Sequence, residues 1–146
     1  MPEQVSDKPV RLPSPDHPIT IEQNAARVLV WAGGDLIADT RDALTLQEAG
    51  YPPVEYIPIE DVDMSRLVET DHSTYCPYKG DCSYYSIGGR AAAENAVWEY
   101  RNPFPAVARI KGRVAFYPDR VDLIEQLAGL TVDVQEEKTK VRVFCE

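Results

Sequence analysis

The chain has 146 residues, with 44% apolar content and 24 acidic against 15 basic side chains for a formal net charge of −9. A chain of this size forms one domain and buries roughly 70% of its unfolded surface, so it needs neither metal nor disulfides merely to stay folded. The acidity repels phosphate backbones and anionic lipid, which speaks against nucleic-acid or membrane binding, and no apolar run reaches the length of a membrane span.

The N-terminus lacks the basic-then-apolar layout of a leader peptide, so a cytoplasmic protein is expected. Cys76, Cys82 and Cys145 are an odd number of thiols and are expected to be reduced.

Residues 1–18 hold Pro2, Pro9, Pro13, Pro15 and Pro18 among charged residues. This stretch has few backbone donors in sequence and few large apolar groups, and is read as a flexible Pro-rich arm, with His17 on its surface. Ile19-Thr20-Ile21 is the first place where it would dock. A single β-dominated domain is expected over residues 19–126. Val28–Trp31 and Leu36–Ala38 flank Gly33-Gly34, which predicts a β-hairpin, because such turns require positive φ. Arg41–Ala49 is ambiguous: Ala43, Leu44, Leu46 and Ala49 partly fit a helix, while Leu44 and Leu46 also alternate as in a strand. Val54–Ile57 reads as a strand stopped by Pro58. Asp61 or Asp63 is placed to cap a short helix carrying Met64, Leu67 and Val68.

His72–Tyr75 and Cys82–Ile87 are strand-like runs joined by Cys76-Pro77-Tyr78-Lys79-Gly80-Asp81. Ala96–Tyr100 is a strand with Ala96, Trp98 and Tyr100 expected on one face. A helical turn over Ala106–Lys111 precedes a strand at Arg113–Tyr117, with Val114 and Phe116 inward. Residues 127–146 form a C-terminal extension whose Thr131–Val134 and Val141–Phe144 either pair as a hairpin or add strands to an edge. Many short strands with Gly/Pro turns and only brief helical pieces define a mainly β fold of antiparallel sheets with one or two short helices.

Several of these stretches together resemble the bacterial domain-of-unknown-function family 427. They are Val28–Asp39 with its Gly-Gly turn, Tyr56-Ile57-Pro58 with Asp61-Val62, Cys76-Pro77-Tyr78-Lys79-Gly80, Tyr84-Tyr85, Trp98-Glu99-Tyr100 with Pro103, and Phe116-Tyr117-Pro118. The resemblance covers residues 16–126, and the Cys-Pro-Tyr-Lys-Gly run with the downstream Trp-x-Tyr is its specific part. It implies compact antiparallel sheets of the Mss4-like, or β-tent, group and no particular activity. Ile59 stands where that family often has arginine, and Cys82 where it often has a small residue, so neither position supports a shared role.

The chemistry is expected around the Cys76–Gly80 turn. Lys79 lies three residues beyond Cys76, so its ammonium is placed either to lower the thiol pKa, making Cys76 a nucleophile, or to bind an anion. The structural alternative is that Cys76 fills buried space and the rest makes the turn. Arg41, Tyr56, Lys79, Tyr84, Trp98 and Tyr100 are the candidate lining of a site for a small polar or anionic ligand, with an enzymatic step left open and no cofactor implied. His72, Cys76, Cys82 and Cys145 match no zinc-knuckle spacing, and there is no Cys-x-x-Cys pair, so no metal is expected. No Gly-x-x-x-x-Gly-Lys loop is present. Glu60, Asp61 and Asp63 are read as capping and surface acids. The alternative function is a non-catalytic protein-interaction or scaffolding module that uses a sheet edge or an aromatic face; an exposed flat aromatic patch would mark it, and a concave pocket on which Lys79, Arg41 and Cys76 converge would mark the ligand site.

Overall fold

Alternation along the strands decides the architecture. In Tyr56-Ile57, Ala115-Phe116 and Tyr84-Tyr85, neighbouring residues belong to different apolar clusters, so the sheet that carries them must be covered on both faces. The computed structural model describes residues 8–88, 93–127 and 140–142, and among these there are eleven strands and no helix beyond short 3-10 turns.

The strands are β1 (Ile19–Gln23), β2 (Arg27–Ala32), β3 (Asp35–Thr40), β4 (Leu44–Glu48), β5 (Val54–Pro58), β6 (Leu67–Cys76), β7 (Gly80–Ile87), β8 (Ala93–Glu99), β9 (Arg113–Phe116), β10 (Leu123–Leu127) and β11 (Lys140–Arg142). All pairings are antiparallel. A seven-stranded sheet runs β1-β4-β5-β9-β8-β7-β6, and a four-stranded sheet runs β11-β10-β2-β3. The mainly β, antiparallel fold expected from the sequence is what forms.

One core lies between the sheets, where Val28, Val30 and Ile37 of the smaller sheet meet Ile57, Tyr85, Val97, Val114 and Phe116 of the larger. The second core covers the opposite face of the larger sheet and contains Leu46, Tyr56, Cys82, Tyr84, Tyr100, Val107 and Ile110. Val107 and Ile110 come from the 3-10 segment Pro105–Ile110, which carries the β8–β9 connection across that face.

The β2–β3 hairpin turns at Gly33 and Gly34 with φ of 62° and 85°, the positive values its glycines permit. The ambiguous Arg41–Ala49 stretch contains a strand, because Leu44 and Leu46 are both buried while Thr45 and Gln47 are half-buried, and its backbone is shared between β1 and β5. Asp63 does cap, its side chain accepting from the Ser65 amide at 3.2 Å, but the element is one 3-10 turn, Met64–Arg66. Leu67 and Val68 open β6 instead, because Leu67 pairs across to Ile87. β6 is an edge strand, and its Glu69–Thr74 stretch is largely exposed, as suits a sheet edge kept polar. Ala96 packs with Val97 in the inter-sheet core and not with Trp98, since Asn95 takes φ 48° and shifts the alternation.

The Pro-rich segment lies along the body over residues 8–18. The Arg11 amide donates to the Pro77 carbonyl at 3.0 Å, the Tyr75 hydroxyl to the Pro9 carbonyl at 2.5 Å, and the Ala49 amide to the Pro18 carbonyl at 2.8 Å. At the other end β11 extends the smaller sheet beside β10. Thr131–Val134 and Cys145 lie outside the described residues.

Candidate functional site

The second core is not filled completely. A cavity of about 200 Å³ opens between the end of β4, the β4–β5 connection, β5, β7, β8 and Tyr117 just after β9. Its apolar wall begins with Leu46 and Val54. Tyr56 stands on β5, and its hydroxyl accepts from Trp98 Nε1 at 3.1 Å. Trp98 pairs across strands with Tyr84 and lies 4.4 Å from the Tyr117 ring, centroid to centroid. Tyr100, just past β8, is a buried part of the wall, and Tyr51 an exposed one.

The polar part of this lining is an ion pair. Lys79 is 7% exposed, and its ammonium donates to Glu48 Oε1. The other carboxylate oxygen, Oε2, lies 2.7 Å from His17 Nε2; a carboxylate has no proton to give, so the imidazole donates. The His17 ring stacks on Tyr78 with centroids 3.9 Å apart and planes 4° from parallel. Burial pushes the Glu48 carboxyl upward, but the hydrogen bonds from Lys79 and His17 overcome it and hold it below the usual carboxylate value. Lys79 also sits 5.9 Å from the Tyr100 ring centroid, a cation–π distance.

The tyrosine hydroxyls are kept neutral. Burial drives Tyr56, Tyr84 and Tyr100 well above the ordinary phenol value, and nearby Cys82 adds to this in each case. The Cys82 thiol is itself pushed up by burial. This wall therefore offers uncharged hydroxyls and aromatic faces, and its formal charges are concentrated at Glu48 and Lys79.

The structure brings Tyr56, Lys79, Tyr84, Trp98 and Tyr100 together in one lining. It does not bring Arg41 there: Arg41 is exposed beyond β3, near Asp39. Cys76 is half-buried and packs against the second core without entering the lining, and the Lys79 ammonium is directed to a carboxylate. Cys82 is buried at 1% behind the tyrosines, while Ile59 packs against the inter-sheet core. Among the described residues no three His, Cys, Asp or Glu side chains cluster as a metal site.

Sequence reasoning missed Glu48 and His17. Leu44, Leu46 and Glu48 lie two apart on β4, which places an acid on a buried strand face and was a readable signal. His17 carried none, because its position depends on the arm docking against a turn sixty residues away.

These features define a mainly β, two-sheet domain with an aromatic cavity that encloses a lysine–glutamate pair. The chain belongs to the family described as Domain of unknown function (DUF427), whose model matches residues 20–127. No curated protein sequence matches it. No helix among the described residues is long and apolar enough to cross a membrane.

Proposed function

We propose that the chain binds a small polar molecule bearing a planar ring in the cavity between β4, β5, β7 and β8. The carrying observation is the Lys79–Glu48 pair, largely removed from solvent, within an aromatic lining. Taking two charges out of water costs several kcal/mol per ion, and a well-packed apolar pair of the same volume generally serves stability as well or better. A charged pair kept beside open space supplies a donor and an acceptor to whatever fills that space. The volume supports a ring-sized ligand, since an apolar cavity of roughly 150 Å³ accepts benzene.

In this reading Lys79 donates, Glu48 accepts, and Trp98, Tyr100 and Tyr117 provide stacking faces. Cys76 serves as packing behind the wall, so the reading assigns no nucleophile and stops at binding. The neutral phenols and the compensated ion pair favour a polar, uncharged ring over a free anion at this inner position. The antiparallel two-sheet architecture is taken with it as a member of the Mss4-like, β-tent group, and the free Cys76 and Cys82 fit a reducing, cytoplasmic setting.

The test uses Trp98 as reporter in a Trp31→Phe background. Benzamide, benzoate and benzylamine share a ring and differ in charge. Saturable quenching that is strongest for benzamide and lost in Lys79→Met supports the reading. Equal, non-saturating responses to all three, unchanged by Lys79→Met, refute it.

A further inference from the structure

Beyond the aromatic cavity lies a second, more open and more polar one, about 580 Å³ in volume. Tyr84 and Tyr117 line both cavities and form the wall between them. Their hydroxyls are within reach of each other, and that of Tyr84 also meets Thr74 Oγ1 at 2.9 Å. On the outer side stand His72, Asn95 and Arg120.

The outer groups differ from the inner ones in how their charges are matched. Arg120 donates through Nη1 to the Glu94 carbonyl at 2.9 Å and the Asn95 carbonyl at 3.2 Å, and it covers the Tyr117 ring at 5.1 Å. Arg120 and His72 are both exposed, and those contacts orient the guanidinium without neutralising it; no carboxylate pairs with it among the described residues. The Asn95 side-chain oxygen accepts from the Thr70 hydroxyl at 2.7 Å, which turns its amide nitrogen away as a donor. The His72 ring leans on Tyr84 at 4.5 Å with no hydrogen bond to its nitrogens among the described residues. Glu94, also exposed, is the acid in this lining. In the inner cavity, by contrast, Lys79 is already matched by Glu48.

From this contrast we infer that His72, Asn95 and Arg120 form an oxyanion subsite, so that the ligand carries a phosphate or carboxylate arm reaching over Tyr84 and Tyr117 while its ring occupies the inner cavity. The inference rests on the ring-binding reading above for the ligand's inner half. A planar, oriented guanidinium is the side chain best matched to such an anion, and an amide and an imidazole beside it complete a donor set.

The experiment is calorimetric titration of the full chain with benzamide, inorganic phosphate, and phenyl, benzyl and 2-phenylethyl phosphates, with the matching carboxylates as a second arm. The expected result is that one arm length binds at least about tenfold more tightly than benzamide or phosphate, and that Arg120→Gln removes this gain while benzamide binding is retained. A tenfold gain corresponds to about 1.4 kcal/mol. Because Arg120 also tethers β8, His72→Gln and Glu94→Gln accompany it: the first should weaken the armed probes a few-fold, the second should strengthen them. Benzamide binding with no gain from any arm, or a gain indifferent to Arg120→Gln, His72→Gln and Glu94→Gln, overturns the oxyanion subsite and leaves the ring site standing. Phosphate binding that needs Arg120 while no ring probe binds supports the subsite and overturns the inner reading. No binding of any probe overturns both.

Discussion

Replacing Lys79 by methionine isolates the buried charge, because methionine keeps most of the aliphatic stem. Lys79 and Glu48 have side chains only 9% and 15% exposed, so the variant leaves a carboxylate inside the protein with its main partner gone. Breaking a buried pair from one side costs about 3–5 kcal/mol. Glu48 keeps its hydrogen bond to His17, which reduces the loss, and about 2–4 kcal/mol is expected. Urea unfolding should show this as a lower midpoint at unchanged slope. The double variant Glu48→Gln/Lys79→Met removes the stranded charge and should recover much of the loss, with a coupling of about 1–3 kcal/mol. The acid dependence carries a definite sign. A carboxyl held low in the folded state contributes stability that is present above its unfolded value of about 4.3 and lost as pH falls through the folded value. The wild type should therefore lose stability on that descent, and Lys79→Met should lose less. A Lys79→Met loss under about 0.5 kcal/mol, or a double variant no more stable than the single, would place this pair with ordinary surface ion pairs and refute the reasoning.

Tyr56→Phe removes the acceptor for the Trp98 indole and should cost about 0.5–1.5 kcal/mol in chemical unfolding, with a change in Trp98 emission. Gly80→Ala should cost about 1–3 kcal/mol in the same assay, because Gly80 has φ +112° and an added Cβ would meet the Asn102 carbonyl at 3.3 Å. Cys82, buried and with its thiol pushed up, should resist a neutral alkylating reagent at neutral pH until the chain unfolds, as peptide mapping would show. His17→Ala should weaken Glu48's support and lower the unfolding free energy measured in urea by about 1 kcal/mol or more, a loss that a surface histidine on a loose arm would not produce.

How much was legible differs between strands and site. Hairpin β2–β3 could be read because Gly33 and Gly34 encode the turn and the flanking apolar residues encode the strands. The strand in Arg41–Ala49 could not be separated from a helix locally, since its identity depends on pairing with β1 and β5 on either side. The beginning of β6 was hidden for a related reason. An edge strand rich in Glu, Asp, Ser and Thr has no hydrophobic alternation to announce it, and only its pairing with β7 defines it. In the cavity, Tyr56, Tyr84, Trp98 and Tyr100 were readable as aromatics on strands. The partner of Lys79 was not readable from charge alone, because 24 acids were available and only the fold places Glu48 opposite it.

The Cys76–Gly80 turn makes physical sense once Lys79 is seen as buried, because each neighbour helps to hold it there. The Cys76 carbonyl accepts from the Lys79 amide at 3.1 Å and closes the turn, while the Cys76 side chain packs against the second core. Pro77 leaves its carbonyl to receive the Arg11 amide, which ties the arm to the turn. Tyr78 stacks on His17 and so fixes the second donor to Glu48. The Lys79 carbonyl accepts from the Phe104 amide at 3.1 Å, anchoring the lysine backbone to the far connection. Gly80 then takes a φ that other residues rarely adopt and starts β7 where a side chain would press on Asn102. A surface lysine would need none of these contacts. A lysine taken out of water needs a fixed partner, and the partner needs its own support, so the contacts of these five residues together hold the Lys79–Glu48 pair in place.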